Sequence, residues 1–229
     1  MKYLIANWKA QMTLTEMGEW VDVFLRLLQE DDILVSALSK EQFVMIIAPP
    51  APFLTLLKER LSPYPFIKLA AQDVSSYKEG KYTGEITAKA LKDLVPYAII
   101  GHSERRMYFH ESEEDIEHKI SLCEQYGITP ILCVRGPSDK VYPSASLIAY
   151  EPVEAIGTGH NADPSTVLST KRLMNLGEST AFIYGGSVDE SNMQTYLRDN
   201  EVHGFLVGTS SLNPHTWYLL CKEMIGPTI

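Results

Sequence analysis

Eight short runs of apolar residues recur along the chain, and amphipathic stretches separate them. The runs are almost continuously apolar, which is typical of strands buried on both faces, as in a parallel sheet. They cover residues 3–8, 43–48, 66–71, 97–101, 129–134, 146–150, 181–184 and 203–207. Because strands and helices alternate throughout, the pattern predicts an α/β protein with helices packed on its sheet.

Several of the intervening stretches carry helix start signals. Thr13 and Glu16 have the spacing of a capping box, and an apolar face follows from Met17 to Leu28. Further N-cap residues, two of them followed by proline, occur at Ser112, Asp163-Pro164 and Asn213-Pro214. We therefore expect an amphipathic helix to begin at each of these places.

A closed (β/α)8 barrel accounts for eight strands with helices between them in a chain of 229 residues. An open, doubly wound sheet is the alternative, because the number of strands alone does not exclude it. The sequence shows no linker, internal repeat or low-complexity tract. We expect one α/β domain over residues 1–229, with the barrel as the favoured architecture.

One connection departs from the pattern. Residues 135–145, between the fifth and sixth strands, contain a glycine, Pro137 and Pro143, which leave no room for an ordinary helix. The sequence therefore predicts that one barrel helix is missing. We expect an ordered, irregular segment that covers the barrel locally, with Tyr142 largely buried and Val141 and the two prolines beside it. The alternative is that this face joins two dimers into a tetramer.

The composition limits the classes of partner. A net charge of −9 and a pI of about 5.2 argue against binding to nucleic acid or to an anionic membrane surface. No apolar stretch is long enough to span a membrane. The three cysteines and six histidines show no metal-ligand spacing, and an odd cysteine count fits a reducing cytosol. We therefore expect a cytoplasmic protein without a metal site.

Polar residues follow several of the strands, and the C-terminal strand ends of a barrel meet at the face where chemistry takes place. Asn7 and Lys9 follow the first strand, His102 follows the fourth, and Glu151 follows the sixth. Glu151 could take a proton from carbon, and His102 could polarise or protonate a carbonyl oxygen. Lys9 could stabilise a developing enediolate.

Each of these residues also has a plainer interpretation. Lys9 could pair with a carboxylate such as Glu104. His102 could be a hydrogen-bonded core histidine, and Glu151 could lie in a solvated loop. Taken singly, the plainer interpretation is favoured for each residue, but their joint placement at strand ends favours proton-transfer chemistry.

Glycine-rich turns follow the last two strands. Gly185-Gly186-Ser187 follows the seventh and is expected to open a helix that contains Asp189 and Glu190, and Gly208-Thr209 follows the eighth. Such turns present free backbone N–H groups and the positive end of a helix dipole, and barrels often bind phosphate there. One glycine turn is a weak signal, but two on the last two strands favour a phosphate site.

Five motifs span the chain from end to end. They are Asn7-Trp8-Lys9, Ile100-Gly-His-Ser-Glu-Arg-Arg106, Tyr150-Glu-Pro-Val-Glu-Ala-Ile-Gly-Thr-Gly159, Tyr184-Gly-Gly-Ser187 and Gly204-Phe-Leu-Val-Gly208. In this order they resemble the triosephosphate isomerase family. The resemblance implies a (β/α)8 barrel that interconverts dihydroxyacetone phosphate and glyceraldehyde 3-phosphate without a cofactor, in glycolysis and gluconeogenesis.

The resemblance also implies roles for single residues. It makes Glu151 the base and neutral His102 the electrophile. Lys9 is implied to bind both substrate and transition state, and Glu104 beside it completes the catalytic set. Further substrate-binding residues, most of them contacting phosphate through the backbone, are implied to be Asn7, Gly157, Ser187, Gly208 and Thr209.

Two loops carry further expectations. Pro152 opens a loop that ends in glycine, and we expect residues 152–158 to act as a lid over bound phosphate. Glu154 stands where the family usually has tryptophan, and we expect it to pair with Arg135. Residues 72–85 resemble the loop through which the family dimerises, so a homodimer is expected, with a plain surface loop as the alternative.

The sequence departs from the family pattern at two other places. Thr209 stands where the family usually has a second glycine, and residues 135–145 stand where it usually has a helix.

Two other functions are alternatives to isomerisation. A non-catalytic phosphate-binding barrel would require the loss of a reacting residue, yet Lys9, His102 and Glu151 are all present. A different phosphate-handling barrel enzyme, such as a lyase or synthase, would need another set of strand-end residues, and the sequence shows none.

Overall fold

The computed structural model describes residues 1–152 and 161–226. Eight parallel strands form a closed barrel, each hydrogen-bonded to the next in chain order and the last to the first. They are β1 (Tyr3–Asn7), β2 (Val44–Ala48), β3 (Ile67–Ala71), β4 (Tyr97–Ile100), β5 (Thr129–Val134), β6 (Leu147–Tyr150), β7 (Ala181–Tyr184) and β8 (Gly204–Val207). The barrel prediction is confirmed, and the open doubly wound alternative is wrong.

Nine α-helices lie outside the barrel in the described parts of the chain. They are α1 (Leu14–Gln29), α2 (Asp32–Ser39), α3 (Leu54–Arg60), α4 (Ala88–Leu91), α5 (Ser103–Tyr108), α6 (Glu113–Gln125), α7 (Pro164–Leu173), α8 (Met193–Leu197) and α9 (Pro214–Ile225). Short 3₁₀ turns lie at Ala51–Phe53 and Thr209–Leu212.

The expected helix starts are confirmed by their capping contacts. Thr13 Oγ1 accepts a hydrogen bond from the Glu16 N–H at 3.3 Å, and the Glu16 carboxylate accepts one from the Thr13 N–H at 2.7 Å. Ser112 forms the same kind of box at the start of α6, and Asp163 and Asn213 cap α7 and α9. These side chains satisfy N–H groups that have no partner within the helix.

The helix expected to open at the seventh strand's glycine turn begins later than predicted. Asp189 accepts hydrogen bonds from the N–H groups of Ser191 at 2.8 Å and Asn192 at 3.2 Å. This arrangement is a side-chain-stabilised turn, which competes with helix formation. As a result α8 begins only at Met193, so Ser187 does not stand at a helix N-terminus.

Two apolar layers hold the barrel together. Alternate residues of each strand face opposite sides, so one set fills the interior and the other packs against the helices. The outer layer includes Trp20, Phe24 and Trp217. The interior layer consists of Ile5, Ile46, Ala48, Ala70, Ile99, Ile131, Cys133, Leu147, Ala149, Ile183 and Leu206. Because side chains fill the interior, polar chemistry is confined to the strand ends.

The connection between β5 and β6 contains no helix, as predicted. Tyr142 is 6% exposed, and its hydroxyl donates a hydrogen bond to the Glu113 carbonyl of α6 at 3.1 Å. Val141 is half-buried, so these two residues cover the barrel as expected. The expectation for the prolines is wrong: Pro137 and Pro143 lie in turns and are exposed.

The cysteines Cys123, Cys133 and Cys221 are free and buried. Burial raises the pKa of each thiol, to about 12 for Cys123. A thiol with so high a pKa is a poor nucleophile near neutral pH, because the thiolate is the reactive form. The cysteines are therefore packing residues.

Candidate active site

A cavity of about 360 Å³ opens at the C-terminal ends of the strands. It brings together most of the site residues predicted from sequence, and its lining includes Asn7, Lys9, His102, Glu151, Gly185, Ser187, Gly208 and Thr209. Glu104 lies beside it, in an adjoining cavity of about 420 Å³ that shares Asn7, Lys9 and His102. The barrel therefore gathers side chains from β1, β4 and β6 around one space.

Glu151 follows β6 directly, and its N–H donates a hydrogen bond to the Val134 carbonyl at the end of β5 at 2.8 Å. Although it lines the cavity, Glu151 is only 2% exposed. Oε1 lies 2.9 Å from His102 Nε2, and Oε2 accepts a hydrogen bond from the Ser103 N–H at 2.9 Å. Burial alone would raise the pKa of Glu151, but the His102 ring and the Ser103 donor lower it below its usual value. The carboxylate is therefore held in its basic form.

His102 stands at the N-cap of α5, with its ring fixed from two sides. Nδ1 accepts a hydrogen bond from the Glu104 N–H at 3.2 Å, and Nε2 faces the Glu151 carboxylate. Burial lowers the pKa of His102, but the charge of Glu151 more than offsets this and raises it. Because a backbone donor occupies Nδ1, the neutral ring carries its proton on Nε2, the nitrogen that points to Glu151.

Lys9 is held at three points in a backbone conformation that is rare for lysine, with φ at 52°. Its N–H donates to Asn7 Oδ1 at 3.0 Å, and its carbonyl accepts from Gln72 Nε2 at 2.8 Å. Its ammonium lies 2.6 Å from Glu104 Oε1, so the ion pair considered from sequence is present. A strained residue held by several neighbours is typical of functional sites.

Gln72 is the site residue that the sequence reasoning missed. It had been assigned only to the dimerisation loop, yet its amide donates hydrogen bonds to both the Lys9 and the Ala48 carbonyls at 2.8 Å. It therefore ties the end of β2 to the loop that carries Lys9. The signal was available, because Gln72 immediately follows β3 and polar residues at strand ends are site candidates.

One end of the cavity is formed by two backbone turns, Gly185–Ser187 and Gly208–Ser210. Lys9 reaches this end: its Nζ lies 3.7 Å from the position that a Cβ on Gly208 would take. A positive side chain beside glycine turns is suited to bind an anion, since the backbone can approach it closely. Ser187, Gly208 and Thr209 are therefore candidate residues for an anion-binding end of the cavity.

Position 185 requires glycine because the Glu151 side chain lies close to the backbone there. A Cβ at this position would lie 2.9 Å from Glu151 Cγ and 3.2 Å from the Tyr150 carbonyl. We expect Gly185→Ala to displace the carboxylate and lower kcat/KM about a hundredfold, because a misplacement of roughly 1 Å can have that effect. Gly136→Ala is the matched control, since among the described residues other than its chain neighbours no atom lies within 4 Å of the added Cβ. Equal activity of the two variants in a steady-state assay would contradict this requirement.

Two sequence predictions fall on residues 153–160, outside the described residues. These are the phosphate contact of Gly157 and the pairing of Glu154 with Arg135, and with them most of the expected lid. The described partner of Arg135 is a different one: its guanidinium donates to Asp139 at 3.0 Å and 2.7 Å. This two-point pair holds the guanidinium beside Asp139.

In the part of the chain that the structure describes, no three side chains of histidine, cysteine, aspartate or glutamate form a cluster that could hold a metal ion. The chemistry of the cavity is that of a carboxylate, an imidazole and an ammonium group. These are the groups of general acid–base catalysis with electrostatic stabilisation.

The fold and the site define an α/β-barrel enzyme that carries acid–base groups and an anion-binding end at the C-terminal face. The sequence profile of triosephosphate isomerase matches residues 2–224. The chain belongs to the triosephosphate isomerase family.

Relatives described as triosephosphate isomerase match nearly the whole chain. The protein from Mesomycoplasma hyopneumoniae (strain 232) is 35% identical over 236 residues, covering 93% of this chain and 95% of the relative. That from Dictyoglomus thermophilum is 35% identical over 256 residues, covering 97% and 99%. That from Aquifex aeolicus is 34% identical over 249 residues, covering 94% and 96%. Each of these matches covers more than nine-tenths of this chain and of the relative.

Proposed function

We propose that this protein interconverts dihydroxyacetone phosphate and D-glyceraldehyde 3-phosphate. The observation that carries the proposal is the pair Glu151–His102, whose facing atoms lie 2.9 Å apart in a cavity that ends in Lys9 and two glycine turns. Family membership supports the same reaction. In the cell this places the protein in glycolysis and gluconeogenesis.

The reaction needs one proton moved between neighbouring carbons and one moved between their oxygens. Glu151 takes the proton from the carbon that bears the hydroxyl group, while His102 donates its Nε2 proton to the carbonyl oxygen. The resulting enediol collapses when His102 recovers a proton from the other oxygen and Glu151 returns its proton to the other carbon. Atoms and charges balance, so the reaction requires no cofactor.

The remaining site residues bind and orient the substrate in this proposal. Lys9 stabilises both the phosphate and the developing enediolate, and Glu104 and Asn7 hold Lys9 in place. The phosphate lies against the turns at the other end of the cavity, with contacts from Gly157, Ser187, Gly208 and Thr209.

A coupled assay tests the proposal directly. Purified protein is given glyceraldehyde 3-phosphate, and dihydroxyacetone phosphate is followed through a dehydrogenase that oxidises NADH. We expect turnover that inorganic phosphate inhibits competitively, because phosphate alone fills the anion-binding end. Absence of turnover in folded protein would refute the proposed function, and non-competitive inhibition would refute the phosphate position.

The location proposed is the cytoplasm. Over residues 1–152 and 161–226, none of the helices combines the length and the apolar character needed to cross a bilayer. A net charge of −9 also disfavours attachment to an anionic membrane surface.

We also propose that two copies form a homodimer through residues 72–85. Tyr77 and Tyr82 of this loop stack with their ring centroids 4.4 Å apart, and Tyr77 is 50% exposed. Nearby, Ile86, which directly follows the loop, and the 67% exposed Phe109 line the cavity of about 420 Å³ beside the site. Exposed apolar side chains gathered around a cavity are typical of an interaction surface. A second copy of the chain is the expected partner, because most soluble oligomers are symmetric homo-oligomers.

The dimer is expected to depend on the stacked tyrosines. Tyr82→Arg should convert the dimer to a monomer at micromolar concentration, measured by light scattering, because it places a charge inside the apolar contact. Leu173→Arg is the control, since Leu173 is 72% exposed on α7 and lies outside the proposed surface. A monomeric native protein would refute the dimer. A tetramer with Tyr142 at its contact would refute the local cover formed by the segment after β5.

A further inference from the structure

The chain beyond residue 160 is held by two tyrosines at a single peptide. The Ala162 N–H donates a hydrogen bond to the Tyr184 hydroxyl at 2.8 Å, and the Ala162 carbonyl accepts one from the Tyr196 hydroxyl at 2.6 Å. The Asn161 side-chain amide also donates to the Tyr196 hydroxyl at 3.0 Å. Both polar backbone groups of Ala162 are therefore satisfied by phenols.

The two tyrosines form one packed unit. Their rings stack with centroids 4.7 Å apart and planes inclined by 25°, and both side chains are buried. Tyr184 is the last residue of β7, whereas Tyr196 comes from α8. The pair therefore joins a strand, a helix and Ala162 through buried hydroxyl groups, which are costly to leave without partners.

The same unit touches the anion-binding end of the site. Gly186 lies directly against the Tyr184 ring, so that a Cβ at this position would overlap the Tyr184 hydroxyl. Gly186 belongs to the turn that continues into Ser187 and lines the cavity. A shift of the Tyr184 hydroxyl is therefore transmitted to this turn by direct contact.

We propose that Tyr196 is a positioning residue for the anion-binding end of the site. It holds the Ala162 peptide and the Tyr184 ring, and through the ring it fixes the turn from Gly185 to Ser187. Among the described residues, the lining of the two cavities does not include Tyr196. The inference rests on the proposed function only for the identity of the anion, which is the phosphate of the substrate.

The effect on binding is the one that distinguishes the positioning role. kcat is expected to fall as well, because Gly185 belongs to the same turn and a Cβ there would lie only 2.9 Å from Glu151 Cγ. Tyr196→Phe keeps the ring and removes two hydrogen bonds, one to the Ala162 carbonyl and one from the Asn161 amide. We expect a rise of about three- to tenfold in KM. The dissociation constant of inorganic phosphate should rise by the same factor, because phosphate reports on the anion-binding end alone.

Phosphorus NMR titration with inorganic phosphate and steady-state kinetics test the inference together. Tyr218→Phe is the matched control: its hydroxyl donates a hydrogen bond of 2.7 Å to Asp31, at the outer helices α2 and α9. It should leave both KM and phosphate affinity unchanged. Tyr184→Phe should raise both, and the double variant Tyr184→Phe/Tyr196→Phe should fall short of the product of the single effects, because both act on one peptide.

The possible outcomes separate the two proposals. A wild-type protein that binds phosphate but shows no turnover refutes the proposed function, while the effect of Tyr196→Phe on phosphate binding still decides the inference. Unchanged phosphate affinity in Tyr196→Phe overturns the positioning role. A lower kcat at unchanged KM also overturns it, since that pattern reports a loss of folded enzyme. Absence of phosphate binding in the wild-type protein overturns the positioning role, while turnover in the coupled assay still decides the proposed function.

Discussion

Replacing Glu151 with aspartate lowers kcat by at least about a hundredfold while the protein still folds. The carboxylate of aspartate is one methylene shorter and withdraws from the cavity by roughly 1 Å, and such a displacement can cost about a hundredfold in rate. Glu151→Gln keeps the length and removes the base, so a loss of about a hundred- to ten-thousandfold is expected. The coupled assay measures both variants, and near-wild-type turnover of Glu151→Asp would exclude Glu151 as the base.

Glu151→Gln should also change the pKa of His102. The charge of Glu151 raises the pKa of His102 against the opposing effect of burial. Once Glu151→Gln removes that charge, burial dominates and the pKa of His102 should fall below its value in the wild-type protein. Proton NMR titration of the imidazole follows this directly. A pKa that stays raised in the variant would show that another group sets it, and Glu104 is the nearest candidate, at 3.6 Å from Nδ1.

Most of the fold could be predicted because its signals are local. Strands that are buried on both faces read as continuous apolar runs, and each of the eight matches a strand of the barrel to within about two residues. The missing helix was also visible, since proline and glycine exclude helix locally. The late start of α8 was not predicted, because it depends on Asp189 binding two backbone N–H groups of its own turn.

Some site residues could likewise be predicted from the sequence, whereas the contacts of others are seen only in the structure. Lys9, His102 and Glu151 could be found because each follows a strand, and the closed barrel then brings them together. Gln72 is a candidate from its place after β3, but the partners of Gln72 and Tyr196 could not be predicted, because both bind the backbone of residues distant in sequence. Gln72 lies 63 residues from Lys9 and 24 from Ala48, whose carbonyls it binds, and Tyr196 lies 34 residues from Ala162. Such contacts exist only once the barrel has closed.

Replacing Lys9 with methionine raises KM and lowers kcat together, with a combined loss in kcat/KM of about a hundred- to thousandfold. Methionine keeps much of the length and removes the charge that faces both the anion-binding end and the reacting atoms. Glu104→Gln is the companion variant, because it weakens the ion pair and leaves Lys9 in place. An unchanged kcat/KM in Lys9→Met would show that Lys9 serves only as the ion-pair partner of Glu104.

The strained backbone of Lys9 allows function to be separated from stability. A positive φ favours glycine, and holding lysine there costs about 1 kcal/mol or more. The partly exposed ion pair with Glu104 contributes at most about 1 kcal/mol in return. Lys9→Gly should therefore unfold in urea with a free energy within about 1 kcal/mol of the wild-type value, yet lose activity as fully as Lys9→Met. A large loss of stability in Lys9→Gly would mean that the Lys9 side chain holds the loop together, and that its conformation is not kept for catalysis.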